Sequence, residues 1–257
     1  MGYDVTYHPI SEIEMKKWYF DRLQEIKMGN LVPAQELAKS FGMQDFYIDK
    51  YITTLRAGVA SKDNGRELFD KTHGFYVAVV QGLFRTYFYT RGSAFSFLID
   101  EKPEFQKYTK SWQDILETVI TCPLRNKITE NYCSGIYLPY EQVKQLFEDY
   151  TQISGIKEAL DTFFSEGRID VFLKAVVYSL EHQLGLLEAT EVAEPNPMDL
   201  NRSESYSDFF NHCDQDGPYL YRSAALQQLK EARPAAGEPR NHQLKKKGFF
   251  SNLFRNR

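Results

Sequence analysis

Apolar positions along most of the chain recur at helical spacing, and the two-residue alternation of a strand surfaces only in short stretches. Residues 3–8 (YDVTYH) alternate and predict a strand, closed by Pro9, which brings no N–H to a ladder. Ser11 followed by Glu14 has the spacing of a capping box, and Ile13, Trp18, Leu23 and Ile26 then trace a helix ending at Gly29. Pro33 opens a second helix that Gly42 closes, and Phe46, Ile48, Tyr51, Ile52, Leu55 and Val59 predict a third. Residues 75–89 (FYVAVVQGLFRTYFY) have the composition of a strand, but the run is long and apolar on every side, so length favours a buried helix. Residues 94–98 fit a helix or a strand.

Further along, a helix is expected from Trp112 to about Ile120, ending before Cys122-Pro123. A short strand near residues 134–138 runs into Pro139, which opens another helix. Helices over 156–164 and 171–184 follow, then a strand over 186–192 that Pro195 stops, and a last helix from about Tyr219 to Ala232. The pattern predicts an α+β fold: one mostly helical domain over residues 1–232, with a small sheet of about three short strands (near 3–8, 134–138 and 186–192). Residues 233–244 read as a flexible linker and residues 245–257 as a separate tail.

Composition fills in the core. With 19 Phe and 17 Tyr among 257 residues, the interior should be aromatic, with phenol hydroxyls seeking partners, and disorder along most of the chain is excluded. Cys122, Cys133 and Cys213 are odd in number and widely spaced, which argues against a disulfide framework and for a reducing compartment. No run approaches the roughly 20 apolar residues of a membrane span. A cytoplasmic protein is the expectation.

Charge divides the chain. Lys245, Lys246, Lys247, Arg255 and Arg257 give residues 245–257 a charge of +5 with no carboxylate, and because the whole chain is −4, residues 1–244 carry −9. Phe249, Phe250, Leu253 and Phe254 fall on one face of a short helix among these cations. Such a tail suits an anionic membrane surface, as a peripheral protein at the inner face would use it, or an acidic groove of a partner, or is simply a solvated terminus. Nucleic acid is disfavoured as a partner because phosphate repels the acidic body.

Candidate chemistry is sparse. Strand alternation puts Tyr3, Val5 and Tyr7 on one face and Asp4, Thr6 and His8 on the other, and it sets Glu188 with Thr190. If these strands are neighbours, His8, Asp4 and Glu188 could share a pocket as an acid/base set; the alternative is a solvated sheet face or a histidine held for structural reasons. Arg85 and Arg91 lie in an apolar block and need carboxylate partners, with a pocket role for Arg91, Tyr87 and Tyr89 as the other reading. The segment from His212 to Gly217 (HCDQDG) lacks the spacing and the final Glu of a calcium loop, and the cysteines lack zinc spacing, so neither a metal nor a cofactor is expected. No phosphate loop or nucleophile elbow is present.

Three segments, GYDVTYHPI (residues 2–10), SGIYLPYEQVKQLFEDY (134–150) and GLLEATEVAEPNPMDLN (185–201), resemble a family of uncharacterised bacterial cytosolic proteins. The resemblance covers the body to Ala232 and not the tail, and it implies no residue role. Proteins of this kind are similar to immunity or accessory proteins of toxin and secretion systems. The resulting expectation is a non-enzymatic bacterial protein-binding chain, immunity-like or a secretion accessory, with a tail-recruited peripheral membrane protein and an enzyme with a pocket around His8 as the alternatives.

Overall fold

A computed structural model of the chain describes residues 3–61, 71–119 and 133–232. The linker and tail assigned to residues 233–257, and Cys122, lie outside the described residues.

Strand β1 (Asp4–Ile10) is central. It pairs antiparallel with β2 (Phe88–Arg91) on one side and β4 (Gly185–Thr190) on the other, and β3 (Tyr137–Leu138) completes the order β2-β1-β4-β3. Among the described residues the sheet thus has four strands where the alternation had indicated about three. A separate two-stranded ladder joins β5 (Ala193–Glu194) to β6 (Glu204–Ser205).

Pro9 does not close β1. Backbone polar groups of alternate residues face the same neighbour, and the register with β2 stops at Tyr7 and Phe88. Pro9 therefore turns its missing N–H toward the side that β2 has vacated. Its carbonyl is taken there by Gln81 Nε2 and Arg85 Nη1, each at 3.2 Å. No ladder bond is lost.

Helices cover both faces. On one lie the N-terminal helical run, α3 (Val32–Ser40), α4 (Asp45–Ala60) and α5 (His73–Phe84). The run is α1 (Glu12–Met15), one π-helical turn (Lys16–Phe20) and α2 (Asp21–Lys27), and it starts from the expected capping box, with Glu14 N donating to Ser11 Oγ at 3.2 Å. The π turn brings the consecutive residues Trp18, Tyr19 and Phe20 all into the core. On the other face lie α6 (Phe95–Glu101), α8 (Tyr140–Gln152), α9 (Ser154–Phe163) and α10 (Arg168–Glu181). α7 (Trp112–Val119) packs beside α1, and α11 (Asp216–Ala232) lies against β2 and α10.

The apolar run over residues 75–89 divides in two. Its first part is α5, buried almost throughout, and its end is β2. The break comes at Arg85, whose backbone is extended (φ −154, ψ 158) and whose guanidinium reaches Glu14 at 2.7 Å. An arginine that must meet a carboxylate on α1 cannot stay in a helix aimed through the core.

Because helices flank both faces, all seven residues of β1 and all six of β4 are buried. Val5 and Tyr7 of β1 and Leu186 of β4 join the core on the α6/α10 side, while Leu187 and Ala189 join the core on the α5 side. Neither face of this sheet is solvated, so the solvated-face alternative for His8 and Glu188 does not hold.

Candidate functional site

β1 and β4 are neighbours, as the shared-pocket expectation required, but their register separates its members. Tyr7 stands opposite Glu188, and His8 stands opposite Leu187. Directly opposed residues of an antiparallel pair share a face. Glu188 therefore points to the α6/α10 side with Tyr7, while Asp4, Thr6 and His8 point to the α5 side. The sheet backbone lies between His8 and Glu188, and the expected common pocket is corrected to three separate polar sites.

His8 sits in a closed network with no exposed surface. Gln81 Nε2 donates to the carbonyls of Pro9 (3.2 Å) and Thr86 (3.1 Å), leaving Oε1 as acceptor for His8 Nδ1–H at 2.6 Å. Nε2 of the ring lies 2.8 Å from the Thr6 hydroxyl, whose one proton is shared between this nitrogen and the Ala189 carbonyl at 3.1 Å. This hydrogen-bond pattern assigns a neutral Nδ1–H imidazole. Burial depresses the ring pKa to about 3, against a smaller opposing contribution from Gln81, and the ring stacks on Tyr87 with centroids 5.1 Å apart.

Glu188 is equally buried. Its carboxylate accepts from Ser96 Oγ (2.6 Å), Ser96 N (3.3 Å) and the Tyr7 hydroxyl (3.3 Å). Tyr7 also lies 3.0 Å from the Ser93 carbonyl and accepts from Phe95 N at 3.1 Å. Burial raises the Glu188 pKa to about 7, and the hydrogen bonds from Ser96, Phe95 and Tyr7 only partly offset it. The chemistry here is internal: a carboxyl group ties β4 to the start of α6.

Asp4 and Arg91 do meet. Arg91 Nη1 lies 2.5 Å from Asp4 Oδ1, and the Tyr89 hydroxyl donates to the same oxygen at 2.6 Å. Arg85 and Arg91 thus both find the carboxylates their apolar setting demands, Glu14 and Asp4. The pocket reading of Arg91 also has a place, because Arg91 and Tyr89 line a cleft of about 290 Å³ between β2, the turn before α10 and the first half of α11. Glu166, Arg168, Leu220, Tyr221 and Ala224 are among its other walls. Tyr87, the other residue named with Arg91, is instead buried against His8 and Phe209.

Two members of this cleft carried no sequence signal. Arg168 is an ordinary charged residue at a helix start, and Tyr221 lies on a helix whose apolar spacing draws the eye to Leu220, Leu226 and Leu229. His73 was also missed. It lies at the start of α5, where Nδ1 is 2.6 Å from the Tyr19 hydroxyl and Nε2 is buried without a partner, and burial lowers its pKa to about 4. Its only sequence mark is a place at the mouth of the apolar run.

Cys133 and Cys213 are both buried. In the HCDQDG segment, Asp214 and Asp216 pair with Lys174 at 2.7 and 2.5 Å, and His212 Nδ1 lies 2.6 Å from the Gly82 carbonyl. Among the described residues no group of three or more His, Cys, Asp or Glu is placed to hold a metal, and no helix is long and apolar enough to cross a membrane. Comparison with protein families, with curated proteins and with solved structures finds no match.

Proposed function

We propose that this chain is a non-enzymatic binding protein whose acidic body takes up a basic protein partner, in the manner of an immunity protein or a secretion accessory of a bacterium. The observation that carries this reading is the charge left once intrachain pairs have formed. Residues 1–244 carry −9, and many cations of the body are already engaged: Arg85 by Glu14, Lys110 by Glu12, and Lys174 by Asp214 and Asp216. What remains is an excess of carboxylate. A field of that sign steers a cationic partner and is screened by salt.

Affinity capture from the native host at about 0.1 M salt, with elution at about 0.5 M, tests this reading. A strongly basic protein released by the salt step is the expected result. Recovery of no basic protein, or of one whose binding ignores salt, counts against it.

A second reading rests on the tail, where five cations surround Phe249, Phe250, Leu253 and Phe254. At about 1 kcal/mol per cation near an anionic surface, electrostatics supply at most about 5 kcal/mol, enough for reversible attachment only. Co-sedimentation with phosphatidylserine vesicles decides it: equal binding by the full chain and by a chain ending at Gln243 would remove the tail from consideration. The third reading, an enzyme at His8, has the least support, because both ring nitrogens are engaged and the ring has no exposed surface.

A further inference from the structure

We infer that the cleft between β2 and the first half of α11 binds a small organic carboxylate with a flat apolar body, held by the Arg91 guanidinium beside Arg168, whose three nitrogens are engaged within the chain. This site is independent of the acidic surface invoked for a protein partner.

The cleft is built by close backbone approach. Gly217, in the first turn of α11, lies so near β2 that an added Cβ would fall 1.9 Å from the Tyr89 carbonyl oxygen. The helix is therefore seated on the edge strand at that end. Two turns later Ala224 and Ala225 present small side chains, and the space they leave is the cleft. Only Gly217 and Pro218 of α11 are fully buried, so this helix keeps a wall open to a ligand.

Both guanidinium groups are fixed before any ligand arrives. Arg91 lies over the Tyr221 ring, 4.7 Å from its centroid, and Asp4 engages it through Nη1. Arg168 Nη1 donates to the Arg91 carbonyl at 2.8 Å, Nε donates to the Ser165 carbonyl at 2.8 Å, and Nη2 reaches Ser165 Oγ at 3.2 Å and Glu166 Oε2 at 3.0 Å. Arg91 has five N–H donors, and the Asp4 bond engages one nitrogen of three, so donors remain for a ligand. A planar carboxylate matches such a fork in two parallel bonds. Pre-fixed side chains lose little rotamer freedom when they make them.

The rest of the lining selects the ligand's body. Leu220, Ala224 and the Tyr221 ring, which Arg91 covers on one side, are apolar and in part flat. A volume of about 290 Å³ falls just below the roughly 300–1,000 Å³ of drug-sized sites, which suits one ring and a short acid arm.

Phenylacetate, its neutral isostere phenylacetamide, and inorganic phosphate are the probes. Titrated into the full chain, the acid should move the side-chain N–H signals of Arg91 and Arg168 in a saturable way. The amide should bind at least about tenfold more weakly, because it forfeits charge-assisted hydrogen bonds. Arg91→Lys keeps the charge beside Asp4 and loses the planar fork, so it should weaken binding by about tenfold. Ala224→Leu fills the cleft from a half-exposed helix position, leaves both arginines in place, and should abolish saturation.

Three outcomes would each overturn the assignment. One is no saturable shift at about 10 mM phenylacetate. Another is equal binding of acid and amide, or of acid and phosphate. The third is unchanged affinity in Ala224→Leu with its fold confirmed by circular dichroism.

Discussion

Tyr7 and Glu188 face each other across β1 and β4, and the phenol oxygen lies 3.3 Å from a carboxylate whose other partners are the hydroxyl and backbone N–H of Ser96. None of these groups is cationic. The folded state therefore holds the Glu188 proton to about pH 7, whereas the unfolded chain releases it near the ordinary value of 4.5. A raised folded-state pKa means that the stabilising condition exists below the unfolded value and is lost as pH rises through the folded one. Across that window Glu188 should cost on the order of 3 kcal/mol. Glu188→Gln should remove this falling limb, so its stability relative to the parent rises between about pH 5 and pH 8, as urea unfolding at the two values would show. A constant difference at both pH values would refute the assignment.

His8 should act with the opposite sign. Its folded pKa of about 3 lies below the ordinary 6.5, so the unfolded chain takes up the proton first as pH falls. Stability is thus fully present above about pH 6.5 and is lost toward pH 3, with a full swing on the order of 5 kcal/mol. Between pH 4.5 and 6.5 the slopes of His8 and Glu188 oppose each other. Glu188→Gln should therefore steepen the acid-side loss that the parent masks, and parallel acid limbs in parent and variant would contradict this.

Gln81 is the bracket of the His8 network, bonded at once to His8, Pro9 and Thr86. Gln81→Leu keeps the approximate volume and leaves the His8 Nδ1–H and two carbonyls without that partner. A loss of about 2–4 kcal/mol is expected from stranding buried polar groups. Denaturant titration reads it, and a loss under about 1 kcal/mol would mean that water or another side chain replaces Gln81.

The Asp4–Arg91 pair is only partly buried, with 27% of the Arg91 side chain exposed, so it should contribute less than a fully enclosed pair. Asp4→Asn should cost about 1–3 kcal/mol. A double-mutant cycle with Arg91→Gln should give a coupling of about 1–2 kcal/mol, and additive effects would show that the two side chains do not stabilise each other.

Much of the architecture was legible in the sequence, and the failures share one cause. Alternation sorted Asp4, Thr6 and His8 from Val5 and Tyr7 correctly, because period two is a property of one strand. It also marked 186–192 as a strand and Glu188 as its polar member. Placing Glu188 beside His8 required the register between two strands some 180 residues apart. A slip of one residue moves a side chain to the other face, and nothing local encodes that choice. β2 was hidden for a related reason: both α5 and β2 are buried, so neither shows a polar face to mark its period. The demand of Arg85 and Arg91 for carboxylates was readable from their apolar setting, but the identities Glu14 and Asp4 were not. Arg168 and Tyr221 reach the cleft only through the tertiary packing of α10 and α11 against β2.

The central place of β1 also sets an order of assembly. Its neighbours β2 and β4 begin 84 and 181 positions after Asp4. During synthesis the strand that holds the sheet together emerges first and waits for both. Until residue 190 has left the ribosome, Val5, Tyr7 and Ile10 have no completed sheet to enter, and the buried polar groups of His8 and Thr6 have no Ala189 strand beside them. For pairings this distant in sequence, loop closure precedes any reward from pairing. The chain's first strand is then the segment most in need of shelter while the rest of the protein is made.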